Sequence, residues 1–328
     1  MINFIAEIGG NHKGNFELAE KLVLDACRSK SNIIKLQLYT AEGLVSKKYD
    51  KVRHKHFKKF ELTEKEYTYL FEVIKKHGKK SCASIWDTKM FSWAIPHIDI
   101  IKVGSGDFTC LPLIYDLLKF KKEIILSTGL STENDVRKVL EFVKDNCDDD
   151  FFRKKVTLMQ CTSMYPIPLN EANLAVLDNY SENYDCHIGY SDHTIGTHAL
   201  KIAICKGVKS IEYHYSLDNA DTSFRDNLVS LTKDEVEELW LYHEKVKKIE
   251  GNREKKPTTA EIESNHIFSF KRGCYAGRKI KKDERVYIKD LEFKRPLLEG
   301  SLSPLFFDKS DKYFVVNQDY EKGDSIKL

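Results

Sequence analysis

Short runs of aliphatic and β-branched residues recur along the first 215 positions: Phe4 to Ile8, Ile33 to Leu38, Ser81 to Ile85, Ile98 to Val103, Glu123 to Leu126, Val156 to Gln160, His187 to Ile188 and Ser210 to Tyr213. Each reads as a strand. Between them apolar residues fall at helical spacing, as in Tyr67, Leu70, Phe71 and Ile74, or Val136, Val139, Leu140 and Val143. Thr63 with Glu66, Thr132 with Asp135 and Thr232 with Glu235 add the Ser/Thr-x-x-acid box that satisfies free amide donors at a helix start. Eight alternating units in about 250 residues predict an α/β protein built on a (β/α)8 TIM barrel. An open doubly wound sheet needs fewer strands and a glycine-rich first turn.

The pattern changes after Val246-Lys247-Lys248. The stretch Glu250-Gly251-Asn252-Arg253-Glu254-Lys255-Lys256-Pro257 is charged, carries breakers and nearly lacks large apolar residues. We therefore expect a barrel over 1–250, a linker over 251–264 and a small β-rich module over 265–328, with strands at Arg285 to Ile288 and Tyr313 to Val316.

Of 328 residues, 41% are hydrophobic and 31% charged, which excludes a disordered chain, a collagen-like repeat and a small disulfide scaffold. Lys and Arg total 53 against 50 for Asp and Glu, so no overall field draws the chain to nucleic acid or acidic membranes. The basic run Lys51 to Lys59, with His54 and His56, is expected to be a solvated loop rather than a nucleic-acid site. The eight cysteines show no CxxC pair or zinc spacing and are expected as reduced, buried thiols. No signal peptide opens the chain and no apolar stretch approaches ~18 residues, so a cytoplasmic protein is expected.

Polar residues gather where the predicted strands end, which is where a barrel places its catalytic groups. In order they are Glu7 with Asn11 and His12, Lys35 with Gln37, Ser84 with Asp87, and Lys102 with Ser105 and Asp107. Ser127 with Thr128, Ser163 with Tyr165, Ser191 with Asp192 and His193, and Glu212 with His214 complete the ring. Singly each has an ordinary explanation, such as a snorkelling Lys35 or a turn at Ser127-Thr128-Gly129. Jointly, two lysines, two acids and two histidines in one mouth are too costly to bury unpaired. Ammonium groups with hydroxyls suit a phosphate or carboxylate ligand. His193 and His214, at the ends of neighbouring strands, could converge on one divalent cation, and Asp226 in the following loop could serve the same site.

Several of these residues sit in ordered motifs. Ala6-Glu7-Ile8-Gly9-Gly10-Asn11-His12-Lys13-Gly14, Lys35-Leu36-Gln37, Lys102-Val103-Gly104-Ser105-Gly106-Asp107, Leu126-Ser127-Thr128-Gly129, Cys161-Thr162-Ser163-Met164-Tyr165-Pro166, Gly189-Tyr190-Ser191-Asp192-His193-Thr194, Glu212-Tyr213-His214 and Lys294-Arg295-Pro296 follow one another. Together they resemble the N-acetylneuraminate (sialic acid) synthase family, which includes legionaminic and pseudaminic acid synthases. The resemblance implies a TIM barrel followed by an antifreeze-like (SAF) domain, commonly in a domain-swapped homodimer. It implies condensation of phosphoenolpyruvate with an acylamido hexose of the N-acetylmannosamine type, giving a nine-carbon 2-keto sugar acid and phosphate. It places Lys35, Ser84, Lys102, Ser105, Ser127, Ser163 and Ser191 around phosphoenolpyruvate and gives His193 and His214 to Mn2+ or Mg2+. Glu7, Tyr165 and Asp226 then meet the sugar or the reacting centre, Arg295 touches the acylamido group across the dimer, and Glu7 or Glu212 handles the attacking water. Gln37 and Asp107 belong to the same substrate-binding set.

The chain departs from the family pattern at Ser163, at Ser84-Ile85-Trp86-Asp87, at Thr222-Ser223-Phe224-Arg225-Asp226 and at Arg295 to Gly300. Two other functions are compatible with the residues. A Schiff-base aldolase would use Lys35 or Lys102 as a nucleophile if desolvation lowered its pKa. A non-catalytic sugar-binding protein would keep the barrel without turnover.

Overall fold

The eight expected strands close into one parallel barrel in chain order: β1 (Asn3–Glu7), β2 (Ile33–Leu38), β3 (Lys80–Ile85), β4 (Ile100–Val103), β5 (Glu123–Ser127), β6 (Val156–Cys161), β7 (His187–Asp192) and β8 (Ser210–His214). The structure is a computed structural model and describes residues 2–218, 220–221 and 223–327. Pairing of β1 with β8 seals the cylinder. Its floor is a plug of inward side chains, Ile5, Ile33, Cys82, Ile100, Ile125 and Met159. Alternate residues such as Phe4, Ala6, Ile34 and Leu36 point outward into the larger core shared with the helices. Tyr67, Leu70, Phe71 and Ile74 line the buried face of the helix Glu64–Lys76, and Val136, Val139, Leu140 and Val143 that of Glu133–Asp145. All three predicted capping boxes form.

Register sets the polar ring above the plug. Glu7 lies opposite both Lys35 and His214, Gln37 opposite Ser84, Ser84 opposite Lys102, and Ser191 opposite Glu212. These pairs also explain why β7 runs on to Asp192, well past the apolar run that stops at Ile188. Ladder hydrogen bonds to β6 and β8 carry its polar end.

The basic run is a helix, Lys51–Lys58, and not the expected loop. Asp50 caps it by accepting the Arg53 N–H at 2.8 Å, and His54 is buried against Glu42 at 3.0 Å. The expectation of buried thiols also needs correction. Cys27, Cys82, Cys161 and Cys274 are buried, but Cys110 and Cys205, at the ends of short helices, are exposed.

The chain divides into two units, Met1–Gly251 and Asn252–Leu328. Residues 251–264 are more than a linker, since Thr258 caps a short helix, Thr259–Glu263, through a box with Glu261. The second unit pairs β9 (Gly273–Ala276) with β11 (Leu291–Lys294) and β10 (Arg285–Tyr287) with β12 (Tyr313–Val315), all antiparallel. It has its own core, including Ile280, Val286, Phe314, Val316 and Ile326. Among the described residues no helix is long and apolar enough to cross a membrane.

Candidate active site

Glu7, Lys35, Gln37, Ser84, Lys102, Ser105, Asp107, Ser127, Ser163, Tyr165, Ser191, His193, Glu212, His214 and Asp226 line one cavity of about 740 Å³ where the strands end. Asn11, His12, Asp87, Thr128 and Asp192 are not among its lining residues and bond instead to groups of the surrounding fold. Arg295 belongs to the second unit, where its guanidinium lies 6.0 Å from the Phe270 ring centroid. Thr222 lies outside the described residues.

At the base of the cavity the buried charges neutralise one another. Lys102 Nζ donates to both Glu212 oxygens at 2.6 Å, Lys35 Nζ to Oε1 at 3.2 Å, and Ser191 Oγ to Oε1 at 3.1 Å. Lys35 Nζ also stands 2.8 Å from Glu7 Oε2, and Gln37 Nε2 donates to Glu7 Oε1. Burial alone would raise the Glu212 pKa, but the two ammonium groups outweigh it and hold the carboxyl well below the usual range. Burial would likewise lower Lys35, yet Glu212 and Glu7 prevail and keep it above its ordinary value. That contradicts the premise of an aldolase working through Lys35, which needs a lysine depressed toward neutrality.

Hydroxyl groups complete the wall. Ser105 Oγ accepts the Gly129 N–H at 3.1 Å, and Ser127 Oγ is buried without a partner among the described residues. A Cβ at Gly129 would come within 2.5 Å of Ser163 Oγ and 2.6 Å of Ser105 Oγ, so glycine is what lets these serines approach. Asp107 stands nearby, its carboxyl pushed up to about 6 by burial.

The two histidines meet as the sequence suggested, with ring centroids 5.4 Å apart. Tyr165 packs on both, 4.0 Å from His193 and 5.5 Å from His214. His193 Nδ1 contacts the Thr162 carbonyl oxygen at 2.8 Å. Because that oxygen can only accept, Nδ1 carries the proton and Nε2 keeps its lone pair. His214 Nδ1 is buried without a hydrogen bond, 3.8 Å from Asp226 Oδ2. Burial pushes both imidazoles below their usual pKa, against the pull of the Thr162 carbonyl on His193 and of Asp226 on His214. Burial opposes ionisation of Asp226 too, but His214 and the Gly10 N–H, which it accepts at 3.0 Å, hold its carboxyl low.

Among the described residues no three His, Cys, Asp or Glu side chains form a ready metal cage. The protein offers two neutral imidazoles, which suits a divalent ion that keeps most of its coordination positions for substrate oxygens and water.

Sequence reasoning missed part of the wall. Tyr49, Arg53 and Phe57, on or just before the helix Lys51–Lys58, face the cavity with Trp86 and Arg225, whose guanidinium lies 5.2 Å from the Tyr165 ring centroid. Asp50, a cap residue just ahead of a charged segment, was the available signal that this stretch is helical.

The NeuB family profile matches residues 22–255. The chain is similar to N,N'-diacetyllegionaminic acid synthase of Campylobacter jejuni, 30% identical over 309 residues that cover 89% of this chain and 90% of the relative. Pseudaminic acid synthase of the same species is 27% identical over 339 residues, covering 98% of this chain and 94% of the relative. Among solved structures, that of N-acetylneuraminic acid (sialic acid) synthetase from Leptospira borgpetersenii in complex with citrate superposes with a TM-score of 0.72 at 26% identity, covering 81% of this chain and 90% of that one.

Proposed function

This chain is an enzyme of the NeuB family, a carbon–carbon bond-forming transferase, and we propose that it condenses phosphoenolpyruvate with an acylamido hexose to give a nine-carbon 2-keto sugar acid and phosphate. The observation that best supports this reading is the convergence of Lys35, Lys102 and Ser191 on a single buried carboxylate, that of Glu212. In the free enzyme Glu212 occupies the donors that a doubly anionic substrate requires. Phosphoenolpyruvate then takes over the two ammonium groups with its carboxylate and phosphate, while Ser84, Ser105, Ser127, Ser163 and Ser191 supply neutral donors.

Gln37, Asp107, Tyr165 and Asp226 meet the sugar, and its far end reaches the wall formed by Arg53 and Phe57. His193 and His214 would hold the divalent ion, Mn2+ or Mg2+, which when bound supplies Lewis-acid polarisation of the open-chain aldehyde. C3 of the enol phosphate attacks that carbonyl carbon, leaving positive character at C2. Water adds there, and phosphate departs with cleavage of its C–O bond. Glu7, held by one ammonium rather than two, is better placed than Glu212 to accept the water's proton. In this reading the second unit is the antifreeze-like domain of a swapped homodimer and brings Arg295 to the acylamido group.

Phosphate release from phosphoenolpyruvate tests the proposal. The sugars to compare are N-acetylmannosamine, its 6-phosphate and a 2,4-diacetamido-2,4,6-trideoxyhexose. Release that depends on one of these sugars, stops with EDTA and returns with Mn2+ supports it. No release with any sugar would favour a sugar-binding protein instead.

A further inference from the structure

A second cavity, of about 540 Å³, opens at the other end of the barrel, where β7 and β8 begin. Ile2, Ile188, Ile204, Val208 and Val246 give it an apolar wall. Set among them is His243, on the helix Lys233–Glu250, 7% exposed and 5.9 Å from Phe4 between ring centroids. Neither of its ring nitrogens has a hydrogen-bond partner among the described residues. A buried imidazole ordinarily bonds through at least one nitrogen, because an unpartnered polar atom forfeits its hydration for nothing. Phenylalanine would fill this place without that penalty. The imidazole is thus one side of a contact whose other side the described residues do not supply.

Charge at the opening narrows the class of ligand. Among the described residues that line the groove, Lys209, Lys247 and His187 stand against one acid, Glu250. The Lys247 ammonium also contacts Glu244 at 2.8 Å, an accessible pair of the kind that exchanges readily. We propose that this groove is a second binding site, for a hydroxylated carboxylate bearing an apolar substituent. The carboxylate meets the lysines, a hydroxyl completes His243, and the substituent lies against Ile188, Val208 and Val246. An acylamido sugar acid carries all three features, so the groove takes the class of molecule this enzyme makes; in that respect the inference rests on the proposed function. A path for regulation is built in. The strands that start at the groove lead to Ser191, about 13 Å along β7, and to Glu212, about 7 Å along β8, at the catalytic end.

The test uses the intact chain, with phosphoenolpyruvate present to fill the catalytic cavity and N-acetylneuraminate as the probe. Val208→Trp fills the groove, and His243→Phe keeps the ring while removing both nitrogens. Calorimetry should show wild type binding the probe and each variant binding at least tenfold more weakly. Phosphate release without the probe should be unchanged in both variants, and the probe should slow wild type only. His243→Phe should also raise Tm by a few degrees, since it removes two unpartnered polar atoms. If Val208→Trp does not fold, His243→Phe decides alone. Equal binding by wild type and His243→Phe, or no binding by a wild type that turns over normally, overturns the groove and leaves the function standing. Groove-dependent binding by a protein that releases no phosphate with any sugar upholds the site and overturns the function.

Discussion

Replacing Glu212 with Gln removes the negative charge on which Lys102 and Lys35 converge. Lys35 keeps Glu7 at 2.8 Å, whereas Lys102, 3% exposed, is left with an amide oxygen in place of its carboxylate partner. Leaving a buried charge without its partner costs roughly 3–5 kcal/mol, and the residual amide acceptor puts this case near the low end, about 3 kcal/mol. In a unit of this size ~1 kcal/mol moves Tm by about 2–4 °C, so the free variant should melt roughly 6–12 °C below wild type. In the proposed function phosphoenolpyruvate restores the missing anion. Its saturating addition should therefore raise the Tm of Glu212→Gln by more than that of wild type, where it must first displace Glu212. Scanning fluorimetry with and without the substrate reads both quantities. Equal substrate-induced shifts, or a free variant as stable as wild type, would refute the view of Glu212 as the counter-charge of the phosphoenolpyruvate site.

Lys102→Met should lower kcat/KM by at least about tenfold, mainly through KM for phosphoenolpyruvate, since a charged hydrogen bond contributes roughly 1.5–3 kcal/mol; a change confined to KM for the sugar would move Lys102 to the other substrate. Borohydride added during turnover should leave the protein mass unchanged, and an adduct on Lys35 or Lys102 would reinstate the aldolase. Burial, opposed weakly by Asp226 and Glu66, brings the His12 imidazole down to about 4 from 6.5, and its neutral Nδ1 accepts the Gly14 N–H at 3.1 Å. Between those two pKa values the unfolded chain binds the extra proton, so the stability from His12 is full above pH 6.5 and is lost as pH falls toward about 4, by up to ~1.4 kcal/mol per unit. Urea midpoints at two pH values, one above and one inside that window, should fall less for His12→Asn than for wild type, and equal falls would contradict the assignment.

The barrel was legible because its strands are continuous apolar runs buried on both faces, and such runs stand out from the amphipathic helices between them. The polar ring was legible for the same reason, since its members interrupt an apolar run, as Lys35 and Lys102 do, or follow on one, as Ser105 and His214 do. What escaped depends on distance in space. The bonds of Glu212 to Lys102 and Lys35 join residues 110 and 177 positions apart, and only they show that it serves as a counter-charge before it could serve as a base. The helix Lys51–Lys58 escaped because its charged surface leaves no apolar stripe of regular spacing, with His54 its one buried side chain. As a result Arg53 and Phe57 were not singled out in advance as residues of the cavity wall.

Turnover of phosphoenolpyruvate and the accepted amino sugar in water enriched in oxygen-18 tests the condensation most directly. Mass spectrometry should find the label at C2 of the new sugar acid and none in the released phosphate. Label in the phosphate, or release that proceeds without any sugar, would contradict it.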